Sequence, residues 1–291
     1  MKIPMLSYGA LLAIKYASRA LYDMEISWVG DPVADPWDDV RLIAVLHHTS
    51  LAEGIYLAAV PNHVLRRMAR HGVVPVASET MKRPIEGRLF RLIAPHAVPI
   101  TRKRDDTWAR VMAQVDDPEA VVTLFPEGRM MRPDGRDKTG SPMMVRPGAA
   151  DVLSALGSGR MILAYSGGLH HVFPPGASWP RLFRPLVVRL ESLDIAEYVA
   201  ARRADPVPFS AAVVRDLVRR RDLYTPIAPG TPPAVAAVVT RRRQRALSQA
   251  VETGRDRRNR GVGVPAKPEV GRAVKTGPIR KGPASGRLPT G

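Results

Sequence analysis

A histidine and a carboxylate five residues apart are the first candidates for chemistry in this chain. His48 and Glu53 follow the continuous apolar run 42–46. A histidine can take a proton from a substrate hydroxyl, and a carboxylate on its other ring nitrogen orients the ring and stabilises the charge it gains. On an unbroken helix, five residues turn two side chains about 140° apart. The pair can therefore meet only if His48 precedes a helix and Glu53 lies in its first turn.

The same residues allow a purely structural interpretation. Ser50 and Glu53 have the S-x-x-E spacing of a helix-capping box, and apolar positions at helical spacing follow them. In this interpretation Glu53 only closes the box and His48 is a polar loop residue. Either way, the stretch is a strand-to-helix junction, which is where open α/β folds usually bind ligands. The neighbouring His47 has Ala52 at the five-residue spacing and is not a candidate base.

A second candidate stretch ends another apolar run, 120–125. Its sequence is Phe125-Pro126-Glu127-Gly128-Arg129. Proline fixes φ and glycine permits a positive φ, so the pattern predicts a rigid turn. An arginine placed just beyond such a turn can bind phosphate through its planar fork of donors. The alternative is an ordinary strand-ending turn with solvated charges.

Alternating strands and helices must position these residues. Six short apolar runs predict strands at 42–46, 73–77, 97–101, 120–125, 161–165 and 186–190, and helical patterns lie between most of them. Alternation of this kind predicts an α/β layered domain. We place the domain at 31–195, after an N-terminal amphipathic helix in 1–30. The alternatives for this helix are association with a membrane surface and packing on its own domain. A basic helical extension at 196–253 and a disordered basic tail at 254–291, rich in Gly and Pro, are predicted to follow.

Composition narrows the classes of partner and site. The formal net charge of +17 favours anionic partners, and the absence of cysteine excludes disulfides, thiolate nucleophiles and cysteine zinc sites. No apolar run is long enough to predict a transmembrane helix. Histidine pairs occur, but none has H-E-x-x-H spacing, so no metal site is predicted.

The order of these motifs resembles that of the glycerolipid acyltransferases, the family typified by 1-acylglycerol-3-phosphate (lysophospholipid) acyltransferases. The resemblance covers about residues 40–175. It implies a layered α/β domain with a central mixed sheet, His48 as the catalytic base and Glu53 as its carboxylate partner. It also implies that Arg102, after the run 97–101, binds the acceptor phosphate. Substrate binding by Phe125, Pro126, Glu127 and Gly128 is implied too, and Arg129 is predicted to join them.

The chain departs from the family pattern in three places that concern the site. Glu53 stands where the family usually has aspartate. The block that ends at Arg102 has His96 and Thr101 where glycine and aspartate are usual. Arg129 directly follows Gly128, whereas the family places its arginine one position later, after threonine. The third departure concerns recognition of the acceptor, because phosphate binding depends on geometry.

The resemblance implies acyl transfer from acyl-CoA or acyl-carrier protein, as co-substrate, to a hydroxyl of a lysophospholipid or related lipid, with no cofactor. We then expect a peripheral protein on an anionic membrane surface, at the cytoplasmic side of the cell membrane. The alternative is a non-enzymatic basic adaptor that binds anionic membrane or nucleic acid through the C-terminal third. Nucleic acid is the less expected partner, because Tyr224 is the only aromatic residue after residue 209.

Overall fold

One mixed sheet forms the centre of the protein. The computed structural model describes residues 2–30, 33–94, 96–101, 105–174, 177, 179–259 and 274–275. The strands, in chain order, are β1 (Asp23–Trp28), β2 (Val40–Leu46), β3 (Gly72–Ala77), β4 (His96–Ile100), β5 (Val121–Leu124), β6 (Arg160–Ser166), β7 (Pro185–Asp194) and β8 (Val274–Lys275). Their order in the sheet is β4-β3-β5-β2-β6-β7-β1-β8. The predicted layered α/β class with a central mixed sheet is confirmed.

Strand direction places one set of carboxyl ends at a single edge of the sheet. The strands from β4 to β6 in that order run parallel to their neighbours. β7 is antiparallel to β6 and parallel to β1. The six predicted strands correspond to β2–β7. The prediction for 1–30 missed β1, a half-buried strand with charged residues at alternate positions, whose short period-2 pattern is a weak signal.

Helices cover both faces of the sheet. They are α1 (Lys2–Leu21), a 3₁₀ helix (Leu51–Ala59), α2 (Asn62–His71), α3 (Ser78–Met81), α4 (Pro84–Ile93), α5 (Asp106–Val115), α6 (Gly148–Leu156), α7 (Ile195–Arg203), α8 (Phe209–Tyr224) and α9 (Pro233–Asn259). Alternate residues of β2 point to opposite faces. Leu42 and Leu46 join the core with α5 to α8, whereas Ile43 and Val45 join the core with α1 and α2.

The C-terminal helices pack directly on the predicted acyltransferase domain. Ile195 and Tyr198 of α7, with Val213 and Leu217 of α8, are buried in the same core as β2 and α6. Packing therefore continues across residue 195, and the predicted division at that point stays a prediction. Burial of these apolar side chains makes α7 and α8 part of the structure that supports the site.

Two further expectations concern the ends of the chain. The helix predicted near the N-terminus is α1. None of the described helices is long and apolar enough to span a bilayer. Helix α9 continues to Asn259, inside the segment 254–291 that was predicted to be disordered. Apart from α9 and β8, that segment lies outside the described residues.

Candidate active site

A cavity of about 480 Å³ opens at the carboxyl edge of the parallel strands. Its wall is mostly apolar and comes from β3, β5 and the segments that follow β2, β3 and β5. The apolar lining includes Leu51, Val74, Val76, Phe90, Ile100, Trp108, Leu124, Phe125 and Met130. The ionisable side chains in the lining are His48, Arg129, Arg146 and Asp151. A cavity of this size and composition suits an apolar ligand that carries a polar or anionic group.

His48 and Glu53 meet at the wall of this cavity. The Nδ1 atom of His48 lies 2.6 Å from Oε2 of Glu53. The other carboxylate oxygen, Oε1, accepts a hydrogen bond of 2.7 Å from the backbone N–H of Thr49. Because an ionised carboxylate only accepts, this contact assigns the proton to Nδ1 of His48 and leaves Nε2 as the nitrogen that can take a proton. The arrangement is the one a histidine base requires.

The local backbone explains how a five-residue spacing brings the pair together. His48 lies in the loop after β2, and Glu53 lies in the first turn of the 3₁₀ helix. The hydroxyl of Ser50 accepts a hydrogen bond of 3.1 Å from the N–H of Ala52, so Ser50 does cap the helix. The carboxylate of Glu53, however, accepts from Thr49 and His48. The capping box is therefore not closed. Ser50 caps the first turn of the helix, and Glu53 in that turn bonds His48 and Thr49 instead.

Glu127 lies behind His48. Its side chain is fully buried, and its Oε2 atom accepts the backbone N–H of His48 at 2.8 Å. Its Oε1 atom accepts from Nη1 of Arg221, on α8, at 2.9 Å. Glu127 is absent from the cavity lining, so the structure gives its carboxylate a positioning contact with His48. Substrate binding by Glu127 remains a prediction.

The remaining residues of the second stretch lie around the cavity. Phe125 packs on His48 with ring centroids 4.6 Å apart. Pro126 and Gly128 line the cavity, and Gly128 has a φ of +64°, which favours glycine. The carbonyl of Pro126 accepts the N–H of Arg146 at 2.7 Å. The Pro126 carbonyl therefore joins the turn to the segment that carries Arg146. Arg102 lies outside the described residues, and its predicted role stays a prediction.

Two guanidinium groups line the cavity, those of Arg129 and Arg146, and only the first is paired with a described carboxylate. Nη1 of Arg129 bonds Asp137 at 2.5 Å and Thr139 at 3.0 Å. The Thr139 hydroxyl, together with the Arg129 guanidinium, lowers the pKa of Asp137, so this carboxylate stays ionised. Arg146 is exposed and has no carboxylate partner among the residues described here. Sequence reasoning missed Arg146, because nothing in its local pattern predicted that its loop returns to the Phe125 turn.

Two further histidines support the loop that carries His48. The Nε2 atom of His170 donates to the carbonyl of Met131 at 2.8 Å, and the N–H of Met131 donates to the carbonyl of His48 at 2.8 Å. His47 has a φ of +64°, and its Nδ1 atom lies 2.9 Å from the carbonyl of Ser166. Burial lowers the pKa of both His47 and His170, so both rings are held neutral. In the described residues, no group of three or more His, Asp or Glu side chains is arranged to hold a metal.

Comparisons with known proteins find similarity to solved structures. No protein-family model matches the chain, and no curated protein matches it. The chain is similar to a solved structure described as the 1-acyl-sn-glycerophosphate (LPA) acyltransferase PlsC from Thermotoga maritima. The sequence identity is 17%, the match covers 72% of this chain and 77% of that chain, and the TM-score is 0.48.

Proposed function

We propose that the protein is an O-acyltransferase that moves a fatty acyl group from a thioester, acyl-CoA or acyl-carrier protein, to a hydroxyl of a lysophospholipid or related lipid. The observation that carries this proposal is the 2.6 Å contact between His48 and Glu53 at the wall of a mostly apolar cavity. A histidine base next to an apolar cavity suits a reaction in which a hydroxyl attacks an acyl group.

In the proposed reaction, Nε2 of His48 takes the proton of the acceptor hydroxyl as its oxygen attacks the thioester carbonyl carbon. Glu53 stabilises the imidazolium through Nδ1–H. The tetrahedral intermediate collapses with cleavage of the C–S bond, and the thiolate takes the proton from His48. The products are an ester and a free thiol. The backbone N–H groups of His48 and Thr49 already donate to Glu127 and Glu53, so the oxyanion must be stabilised by other donors.

Arg129 and Arg146 support an anionic acceptor or donor. Both line the cavity, and Arg146 is next to the start of α6, where the N-terminus of the helix adds partial positive charge. A guanidinium forms strong, geometrically defined contacts with phosphate. A lipid phosphate or the phosphates of CoA would both fit this chemistry. We place the reaction on an anionic membrane at the cytoplasmic side, where a lipid acceptor is available.

The adaptor alternative, binding through the basic C-terminal third, stays a second proposal, to which α8 contributes less exposed charge than its sequence suggests. Arg220 bonds the buried carboxylates of Glu191 and Asp216. Arg221 bonds Glu127 and Asp222, and its side chain is only 4% exposed. Arg220 and Arg221 are therefore used inside the protein, whereas the side chain of Arg219 is half-exposed.

A thiol-release assay tests the proposed function. The chain has no cysteine, so a thiol reagent detects the thiol released from the donor without a signal from the protein itself, and the part that depends on lysolipid reports acyl transfer. We expect His48→Ala to abolish lysolipid-dependent release from acyl-CoA or acyl-carrier protein while the circular dichroism spectrum is unchanged. His63→Ala is the matched control, since His63 is exposed on α2 and outside the cavity. Undiminished release by His48→Ala would overturn the proposed mechanism.

A further inference from the structure

An exposed apolar and basic loop precedes β7. The sequence Trp179-Pro180-Arg181-Leu182-Phe183-Arg184 is solvent-exposed at every position. Trp179 is 83% exposed and Phe183 is 74% exposed. Large aromatic side chains rarely remain this exposed in one short segment without a binding partner. We call this segment, residues 179–184, the Trp179 loop.

The charge of the Trp179 loop limits the kind of partner. Its two ionisable residues, Arg181 and Arg184, are both basic and both exposed. Neither forms an ion pair with any described carboxylate, although Asp23 lies opposite Pro185 in the sheet. Aromatic and aliphatic side chains interleaved with arginine suit the headgroup region of a bilayer, where rings are buried and guanidinium groups meet lipid phosphate.

The neighbouring helix α1 has an apolar face turned to solvent. From residue 4 onward, where the structure describes side-chain exposure, its exposed positions recur at helical spacing and, apart from Arg19, carry no charge. They are Met5, Leu6, Gly9, Ala13, Tyr16, Ala17 and Ala20. Its opposite face buries Lys15, whose Nζ atom bonds the carbonyl of Val60 at 2.7 Å and Asn62 at 2.6 Å. An amphipathic helix in water normally exposes its charge, so this orientation favours an apolar environment outside α1.

The Trp179 loop contacts the C-terminal end of α1 and lies at the carboxyl edge of the parallel strands. The N–H of Phe183 donates to the carbonyl of Leu21, the last residue of α1, at 2.8 Å. Because β7 is antiparallel to β6, its first residue, Pro185, lies at the carboxyl end of β6. His48 leaves the sheet at the same edge, since Leu46 pairs with Tyr165 of β6. The loop and the catalytic histidine are therefore at one end of the molecule.

We infer that the Trp179 loop inserts into the headgroup region of an anionic bilayer and, with the exposed face of α1, turns the catalytic edge towards the membrane. The role of this docking in delivering a lipid acceptor rests on the proposed function. Binding of the loop to the bilayer does not depend on acyl transfer. Trp179, Leu182 and Phe183 contribute apolar burial, and Arg181 and Arg184 contribute attraction to lipid phosphate.

Vesicle binding by the full chain tests this inference. We expect the protein to cosediment with vesicles of phosphatidylcholine and phosphatidylglycerol and less with phosphatidylcholine alone. Trp179→Ala/Phe183→Ala should weaken the partition to anionic vesicles by roughly tenfold or more, because it removes two large apolar side chains. Leu247→Ala/Val251→Ala on α9 is the matched control, with side chains that are 52% and 61% exposed. We expect this control to bind like the wild type.

Tryptophan quenching gives a second readout that does not depend on affinity. Trp179 is the most exposed of the four tryptophans. Lipids brominated near the headgroup should quench wild-type fluorescence, and most of that quenching should be lost in Trp179→Phe. Wild-type partition by the loop variant, or equal loss in the α9 control, would overturn the inference. A change in oligomeric state of the loop variant without lipid would also overturn it, in favour of contact between two copies.

The experiments distinguish failure of the proposed acyl transfer from failure of the proposed membrane docking. If acyl transfer is wrong, His48→Ala leaves thiol release unchanged while the vesicle results stand. If the docking surface is wrong, the Trp179 loop variant binds vesicles normally while His48→Ala still abolishes transfer.

Discussion

Glu127 and Arg221 form a buried ion pair at 2.9 Å although 94 residues separate them in the chain. Their side chains are at most 4% exposed. The other carboxylate oxygen of Glu127, Oε2, accepts a hydrogen bond from the backbone N–H of His48. Helix α8, outside the predicted acyltransferase domain, thus helps to hold the loop of the candidate base in place.

Arg221→Met should destabilise the protein strongly. The substitution leaves the Glu127 carboxylate buried without its cation, and breaking a buried pair in this way typically costs about 3–5 kcal/mol. Urea unfolding followed by circular dichroism measures the free energy of unfolding. Arg245→Ala, on the exposed side of α9, is the control and should change it by less than about 0.5 kcal/mol.

A second substitution shows whether the charge is the cause. Glu127→Gln/Arg221→Met removes both charges, so it should be more stable than Arg221→Met alone. If the double variant is equally unstable, the loss comes from packing of the arginine side chain and the interpretation of the pair is wrong.

Glu53→Gln should reduce turnover and leave substrate binding nearly intact. The amide has nearly the shape of the carboxylate but cannot stabilise an imidazolium with a negative charge. We expect kcat to fall by a factor on the order of 10²–10⁴, with little change in KM. Steady-state thiol release measures both constants. Glu53→Asp retains the charge on a shorter side chain and should lose less; an Asp variant as slow as the Gln variant would contradict the electrostatic role.

Arg146→Ala should weaken the binding of a substrate that carries an anionic group. If Arg146 binds the acceptor phosphate, KM for a phosphorylated lysolipid should rise roughly tenfold, equivalent to about 1.4 kcal/mol, while KM for an uncharged monoacylglycerol changes little. A rise in KM for acyl-CoA instead would assign Arg146 to the donor. Arg132→Ala is the control, because Arg132 is exposed nearby but outside the cavity lining.

Stability should fall in mild acid because of His47 and His170. Burial lowers the pKa of both rings in the folded protein. Unfolded histidine takes up protons near pH 6.5, so the unfolded state binds more protons than the folded state below that pH. The free energy of unfolding should be highest above about pH 6.5 and decrease as the pH falls through it.

Chemical unfolding at a series of pH values checks this sign. His47→Asn removes one titrating ring and tolerates the positive φ at this position, so its pH dependence should be shallower than that of the wild type. An unchanged slope would mean that His47 does not contribute.

Local sequence patterns determined most of the elements of this protein, with β1 as an exception. Apolar runs predicted β2 to β7, and the signal is strongest in β2 and β6, which are buried on both faces. The spacing of Ser50 and Glu53 predicted a helix start after His48, and the structure places the carboxylate against the ring. These features depend on residues close together in the chain, so their physical causes can be read from the sequence.

Only the tertiary structure decided what comes together from distant parts of the chain. Arg221 reaches Glu127, His170 supports the loop of His48 through Met131, and Arg146 joins the cavity because its loop bonds to Pro126. The sequence predicted a rigid turn at Glu127, but not that its carboxylate is buried behind His48. Such contacts depend on how the sheet and helices pack, which local periodicity does not encode.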